Sequence, residues 1–123
     1  MVWSNANTAG VVYPFNSNGS TYFQRFGSAE RYTAGSLQTF GTADLNFHVY
    51  QFNVNGASSE IFKDGVSVFT GNLGIGTINT QIYFGAFAAG TGNAAGCLAE
   101  AIIYNANPSG TDYYNYTQAW KTS

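Results

Sequence analysis

Apolar and polar residues alternate in short stretches along most of this chain, with turn-forming residues between them. The clearest stretch is His48-Val49-Tyr50-Gln51-Phe52-Asn53-Val54. Side chains of a strand alternate between its two faces, so Tyr50, Phe52 and Val54 share one face and Val49, Gln51 and Asn53 the other. The first is the expected core face. Stretches of the same kind precede it at Val11–Phe15, Thr21–Phe26, Glu30–Thr33 and Leu37–Phe40. Others follow at Ser59–Phe62, Val66–Phe69, Thr80–Phe87 and Cys97–Tyr104. Pro14 lacks the N–H that a ladder needs, which puts its strand at a sheet edge or ends it there.

The punctuation between these runs is that of an antiparallel sheet. Asn16-Ser17-Asn18-Gly19-Ser20 is a turn cluster, and Asn55-Gly56 turns the chain after the clearest strand. Lys63-Asp64-Gly65 lies between two β-prone runs, and Asp-Gly there is a strong hairpin signal. Gly71–Gly76 reads as a glycine-rich connection and Gly90-Thr91-Gly92-Asn93 as a loop. Asn107–Thr111 supplies stop and capping residues. Tyr113, Tyr116 and Trp120 then recur at helical spacing, which predicts a short amphipathic helix over Asp112–Trp120 with its aromatic stripe on the sheet. No internal repeat or linker divides the chain. Residues 1–123 read as one all-β domain, an antiparallel jelly-roll β-sandwich with a short C-terminal helix.

Composition narrows the function classes. Aromatics make up 17% of the 123 residues and charged residues only 8%, far below the quarter typical of soluble domains. Asn, Thr, Ser and Gly carry the polarity instead, which suits an extracellular protein or one packed into an assembly. The four basic residues, Arg25, Arg31, Lys63 and Lys121, are scattered, and the net charge is −2. No phosphate-neutralising stripe exists, which argues against nucleic acid as a partner. No apolar run reaches membrane-spanning length, so membrane insertion is not expected. The N-terminus has neither a basic n-region nor an apolar h-region and does not read as a signal peptide. Cys97 is the lone cysteine, which leaves no intrachain disulfide; at the start of an apolar strand it is expected to be a buried small hydrophobe.

Several pieces between Phe47 and Trp120 follow one another in a telling order. Phe47-His48 opens a strand, and Asn55-Gly56 and Lys63-Asp64-Gly65-Val66 give successive turns. Gly71-Asn72-Leu73-Gly74 is followed by Ile82-Tyr83-Phe84-Gly85-Ala86, and Gly96, Glu100, Tyr104 and Asn105 close the last strand. This order resembles the C-terminal half of a laminin-G-like, concanavalin A-like lectin-glucanase domain, of the kind also found in phage structural proteins. The resemblance implies a jelly-roll sandwich that binds or scaffolds. The 46 residues before the match are few for the strands such domains carry there. The sandwich is therefore either trimmed or completed by a neighbouring chain at an open edge.

The chemistry-bearing residues are sparse. The acids are Glu30, Asp44, Glu60, Asp64, Glu100 and Asp112, and only Glu60 and Asp64 are close in sequence. A hard-cation site needs several convergent oxygens, so no metal is expected. Glycoside hydrolysis needs two facing carboxylates. The Glu-x-Asp-x-x-Glu run of related hydrolases is missing, and Glu60 and Glu100, even on adjacent strands, have no same-strand partner. His48 is the only histidine and reads as structural. No catalytic residue and no cofactor are expected. What remains is a ligand or partner surface of aromatic rings with amides and hydroxyls: Tyr13, Asn16, Asn18, Tyr22, Tyr32, Gln81, Tyr83 and Asn93. The expected function is a non-enzymatic structural or adhesion component of an assembly, most concretely a virion protein such as a phage capsid decoration or tail-associated protein. Its partners would be other protein subunits. The alternative is a carbohydrate-binding module of a secreted or surface protein, with glycans as partners, and the third reading is a glycoside hydrolase.

Overall fold

A computed structural model describes residues 1–5, 11–17, 20–78, 81–85 and 96–103, together with Tyr114, Asn115 and Gln118. The described residues form two antiparallel five-stranded sheets facing each other as a β-sandwich. In chain order the strands are β1 (Val2–Asn5), β2 (Val11–Ser17), β3 (Thr21–Phe26), β4 (Ala29–Thr33), β5 (Gln38–Thr42), β6 (His48–Asn53), β7 (Ser59–Lys63), β8 (Val66–Gly71), β9 (Tyr83–Phe84) and β10 (Gly96–Glu100). The first sheet runs β10-β1-β6-β7-β8 and the second β5-β4-β3-β2-β9.

Most alternating runs become strands close to where the pattern puts them, and four features differ. The pattern gave no strand before Val11, yet β1 inserts between β6 and β10 and buries Trp3 in the core. Pro14 lies inside β2, which is flanked by β3 and β9 and so is not an edge. The β2–β3 register shifts between Val12 and Phe15, so the proline falls in a bulge where no ladder N–H is required. Its carbonyl still accepts a hydrogen bond from the Gly85 N–H at 3.1 Å. Among the described residues of Thr80–Phe87, Tyr83–Phe84 alone is strand, and Cys97 is exposed on β10 rather than buried.

The core fills from the inward faces of both sheets. Phe23 of β3 lies 4.8 Å from Tyr50 of β6, and Tyr32 of β4 stacks on Phe52 at 4.2 Å. Tyr50 and Phe52 thus occupy the predicted core face. The opposite face of β6 is also covered at Val49, against which Tyr114 packs. Tyr114, Asn115 and Gln118 are helical, as the tail pattern implied; Tyr113, Tyr116 and Trp120 lie outside the described residues.

The two turns that matter most are glycine-dependent. Asp64 and Gly65 have φ of 54° and 78°, as the tight β7–β8 hairpin requires. The connection after β8 is a strap tied to both sheets rather than a plain turn. The Leu73 carbonyl accepts from Ala34 N–H (2.8 Å) and Ser36 N–H (3.0 Å), and the Gly74 carbonyl accepts from Gly56 N–H (3.0 Å). Gly74 has φ of 94°, and a Cβ there would overlap the Ala34 carbonyl.

Candidate functional site

Register decides which side chains share a face, because residues directly opposite in an antiparallel pair project the same way. On the second sheet, Tyr83, Asn16, Tyr22 and Thr33 form one row across β9, β2, β3 and β4. Gln24, Arg31 and Thr39 form the next, and Phe26 and Ala29 lie beyond them. These rows face away from the other sheet, since the alternate positions Phe23 and Tyr32 point into the core.

The outward rows are knit together. Tyr13 and Tyr22 meet edge to face with centroids 5.5 Å apart, and Gln24 Nε2 donates to the Tyr13 hydroxyl at 2.8 Å. The Arg31 guanidinium lies 4.4 Å over the Phe26 ring. Burial pushes the Tyr22 hydroxyl's pKa up, Tyr13 adds to this, and Arg31 opposes it. Tyr83 donates to Gln81 Oε1 at 3.3 Å, and the Gln81 carbonyl accepts from Ser17 Oγ at 3.4 Å. Tyr13, Tyr22 and Tyr83 are half-buried and Gln81 is exposed. The result is a face of tyrosine rings and amides that presents Arg31 and, among the described residues, no carboxylate.

Five of the eight predicted surface residues, Tyr13, Asn16, Tyr22, Gln81 and Tyr83, therefore converge on this face and its β9 margin. Asn16 belongs to the row but is fully buried within it, so it supports the face rather than presenting itself. Tyr32 must be removed from the set. It sits on the core side of β4, 3% exposed, and burial raises its hydroxyl pKa. Asn18 and Asn93 lie outside the described residues. Arg31 and Phe26 were missed, although the alternation in Thr21–Phe26 and Glu30–Thr33 puts them opposite Phe23 and Tyr32; Gln24 and Thr33 share their face but are buried within it, as Asn16 is.

Two polar clusters lie elsewhere. Between the sheets, the fully buried Glu30 accepts from the Tyr50 hydroxyl at 2.5 Å and from Lys63 Nζ at 2.9 Å. Gly41 leaves room for this carboxylate, since a Cβ would come within 2.7 Å of Glu30 Oε2. Arg25, opposite Glu30 in the register, is also buried, which lowers its pKa. At the rim, His48 is held between Asp64 (Nδ1–Oδ2, 2.5 Å) and Asp44 (Nε2–Oδ1, 2.8 Å). Asp64 Oδ1 also accepts from the Val49 N–H at 2.9 Å, so this carboxylate ties the hairpin turn to β6. The structural role expected for His48 has these partners.

Among the described residues, no group of three or more His, Cys, Asp or Glu is arranged to hold a metal ion, and no helix is long and apolar enough to cross a membrane. In comparisons with known proteins, the chain matches no family model, no curated protein and no solved structure.

Proposed function

We propose that this chain is a non-enzymatic, lectin-like jelly-roll sandwich that works by surface contact, as a structural or adhesion component of an assembly. A virion, as a phage capsid decoration or tail-associated protein, is the most concrete setting; an extracellular surface is the alternative. The observation that carries the reading is the convergence of Tyr13, Tyr22, Gln24, Arg31 and Tyr83 on one sheet face. Tyrosine and arginine with few carboxylates is the composition that protein interfaces favour. The laminin-G-like order of turns and strands supports the same reading.

The carboxylates support it from the other side. Glu30, Asp44 and Asp64 are engaged by Tyr50, Lys63 and His48. Glu60 on β7 and Glu100 on β10 are separated by β6 and β1, contrary to the adjacent placement considered from the sequence. Three strand spacings amount to roughly 14 Å, beyond the separation at which two carboxyls flank a glycosidic bond.

A carbohydrate-binding module is the second reading, favoured by the half-exposed rings beside the exposed Gln81 amide. Native mass spectrometry and a glycan array, each run on the wild type and on Y13A/Y22A, test both. The assembly reading expects a wild-type oligomer, or capture of defined particle proteins, that the double variant loses while keeping its far-ultraviolet circular dichroism. A monomer that binds only glycans would replace it with the second reading. A monomer that binds neither would sink both.

A further inference from the structure

The His48 cluster poses a proton-counting problem. Both ring nitrogens lie at hydrogen-bond distance from a carboxylate oxygen, 2.5 Å to Asp64 and 2.8 Å to Asp44. Two such contacts need two hydrogens. A neutral imidazole carries one, so with both carboxylates ionised one contact would set a nitrogen lone pair against an oxygen lone pair.

We infer that the Asp44–His48–Asp64 cluster is a proton-dependent clamp: it closes by binding one proton more than its open form holds, and it fastens the connection between β5 and β6 to the β7–β8 turn. The proton belongs to the cluster as a whole, whichever atom holds it. When it leaves for solvent, one of the two contacts becomes repulsive. The segment released carries Leu45 and Phe47, both exposed, at 60% and 43%. Asp44 is held to a tight turn by accepting from the Asn46 N–H at 2.7 Å. Loss of its contact to His48 therefore removes one tie between this turn and β6.

The surroundings are consistent with the cluster setting its own proton count. On β6, the Tyr50 ring meets the His48 ring edge-on at 5.9 Å. Lys63 of β7 lies 5.6 Å from the Tyr50 ring and is paired with Glu30 of β4. On β1, Trp3 stands opposite His48 in the register, and the Met1 ammonium donates to the Tyr50 carbonyl at 2.7 Å, its pKa lowered by burial with Glu100 of β10 opposing. Tyr114 packs beside Val49 and Gly65.

The sign follows from linkage. The folded chain holds the extra proton, so the clamp's contribution is complete at low pH and fades as pH rises. One linked proton changes the unfolding constant by up to tenfold per pH unit. The Met1 ammonium works the other way: burial lowers its pKa to about 5, so its effect favours folding as pH rises from 5 to 8. Urea unfolding of wild type and H48Q at pH 5.5, 7.0 and 8.5 separates the two, because the Met1 contribution cancels in the difference. The wild-type advantage should shrink by at least tenfold in unfolding constant between pH 5.5 and 8.5. A pH-independent difference would overturn the clamp. If H48Q fails to fold, nitrogen-15 spectra of the wild-type imidazole and amide exchange across residues 43–47 decide instead. Two ring N–H groups, or one with a protonated Asp partner, at pH 5.5 and faster exchange at pH 8.5 after correction for the intrinsic rate support the clamp. A neutral ring between two ionised carboxylates at pH 5.5, or equal corrected exchange, refutes it.

Discussion

The two faces of β3 and β4 are built from nearly the same residue types and do opposite things. Inward, Phe23, Arg25, Glu30 and Tyr32 are all buried, and Glu30 meets partners from the other sheet. Outward, Tyr22, Gln24, Arg31 and Thr33 repeat the recipe of aromatic, amide or hydroxyl, and cation, yet Tyr22 and Arg31 remain half-exposed. The difference lies in what stands opposite. The inward face looks at Tyr50, Phe52 and Lys63, so its polar groups must find partners inside the protein. On the outward face Gln24 and Thr33 are buried too, but water or a partner molecule can reach Tyr22 and Arg31.

The sharpest way to break this comparison is to remove Glu30. Its loss strands the Tyr50 hydroxyl, whose pKa burial and the Glu30 charge both raise, and takes the carboxylate partner from Lys63, whose side chain is only 15% exposed. Breaking a buried pair from one side costs about 3–5 kcal/mol. Glu30→Ala should therefore approach the whole stability of the domain, measured by urea unfolding. Replacing both ends, Glu30→Leu with Lys63→Met, should recover the part of the loss that comes from the unpaired ammonium, leaving the cost of the buried Tyr50 hydroxyl that has lost its acceptor. On the outer face, Gln24→Ala should cost no more than about 1 kcal/mol, a single net hydrogen bond. If Glu30→Ala were as mild as Gln24→Ala, the inward network would not be structural.

Next in size is the tyrosine pair that the sequence could not separate. Tyr32→Ala empties a core site stacked on Phe52 and should cost about 3–4 kcal/mol. Tyr22→Ala removes a half-buried ring and should cost about 1 kcal/mol. The readouts should cross over: Tyr22→Ala abolishes partner or glycan binding in a folded protein, whereas the conservative Tyr32→Phe leaves binding intact. Loss of binding in Tyr32→Phe with no loss in Tyr22→Ala would reverse the assignment of the faces.

This pair also shows how far the sequence could be read. Period-two alternation located most strands, and Asp64-Gly65 located its hairpin, because both signals are local. Within one strand, parity says which residues share a face but not which face is inside. For the run His48–Val54 the three alternating core-type residues Tyr50, Phe52 and Val54 settled it. In β3 aromatic residues stand at both parities, and β4 has one aromatic, Tyr32, with no second to mark a face, so only pairing with the rest of the sandwich breaks the tie. The partners of Glu30 lie 20 and 33 residues away in sequence, and the strand at Val2–Asn5 is placed by β6 and β10. Such long-range placements leave no local trace. The convergence of Tyr13, Tyr22 and Tyr83 was legible as a composition but not as a place.

The smallest expected effect tests how much exposure a polar contact tolerates before it stops mattering. Glu30 is fully buried at its ion pair, whereas the Asp44 side chain is 48% exposed at its own. The Asn46 backbone N–H, and then His48, hold the Asp44 carboxyl at about 2, below its ordinary 3.8. A carboxyl whose folded-state value is depressed adds stability above the unfolded value, and that stability disappears as pH falls through the folded one. The window is therefore pH 4 to 2, the opposite end from the clamp's own fading as pH rises. Asp44→Asn keeps an oxygen that can accept from Asn46 but removes the charge. The unfolding free energy of wild type minus that of Asp44→Asn, followed from pH 4.5 down to 2, should shrink steadily below pH 4. Solvent screening should hold the total change under about 1 kcal/mol. A difference that stays flat through this window would mean that the carboxylate is not selectively held in the fold. A change of several kcal/mol would mean that the rim cluster behaves like the buried Glu30 network, and exposure would then not be what separates the two.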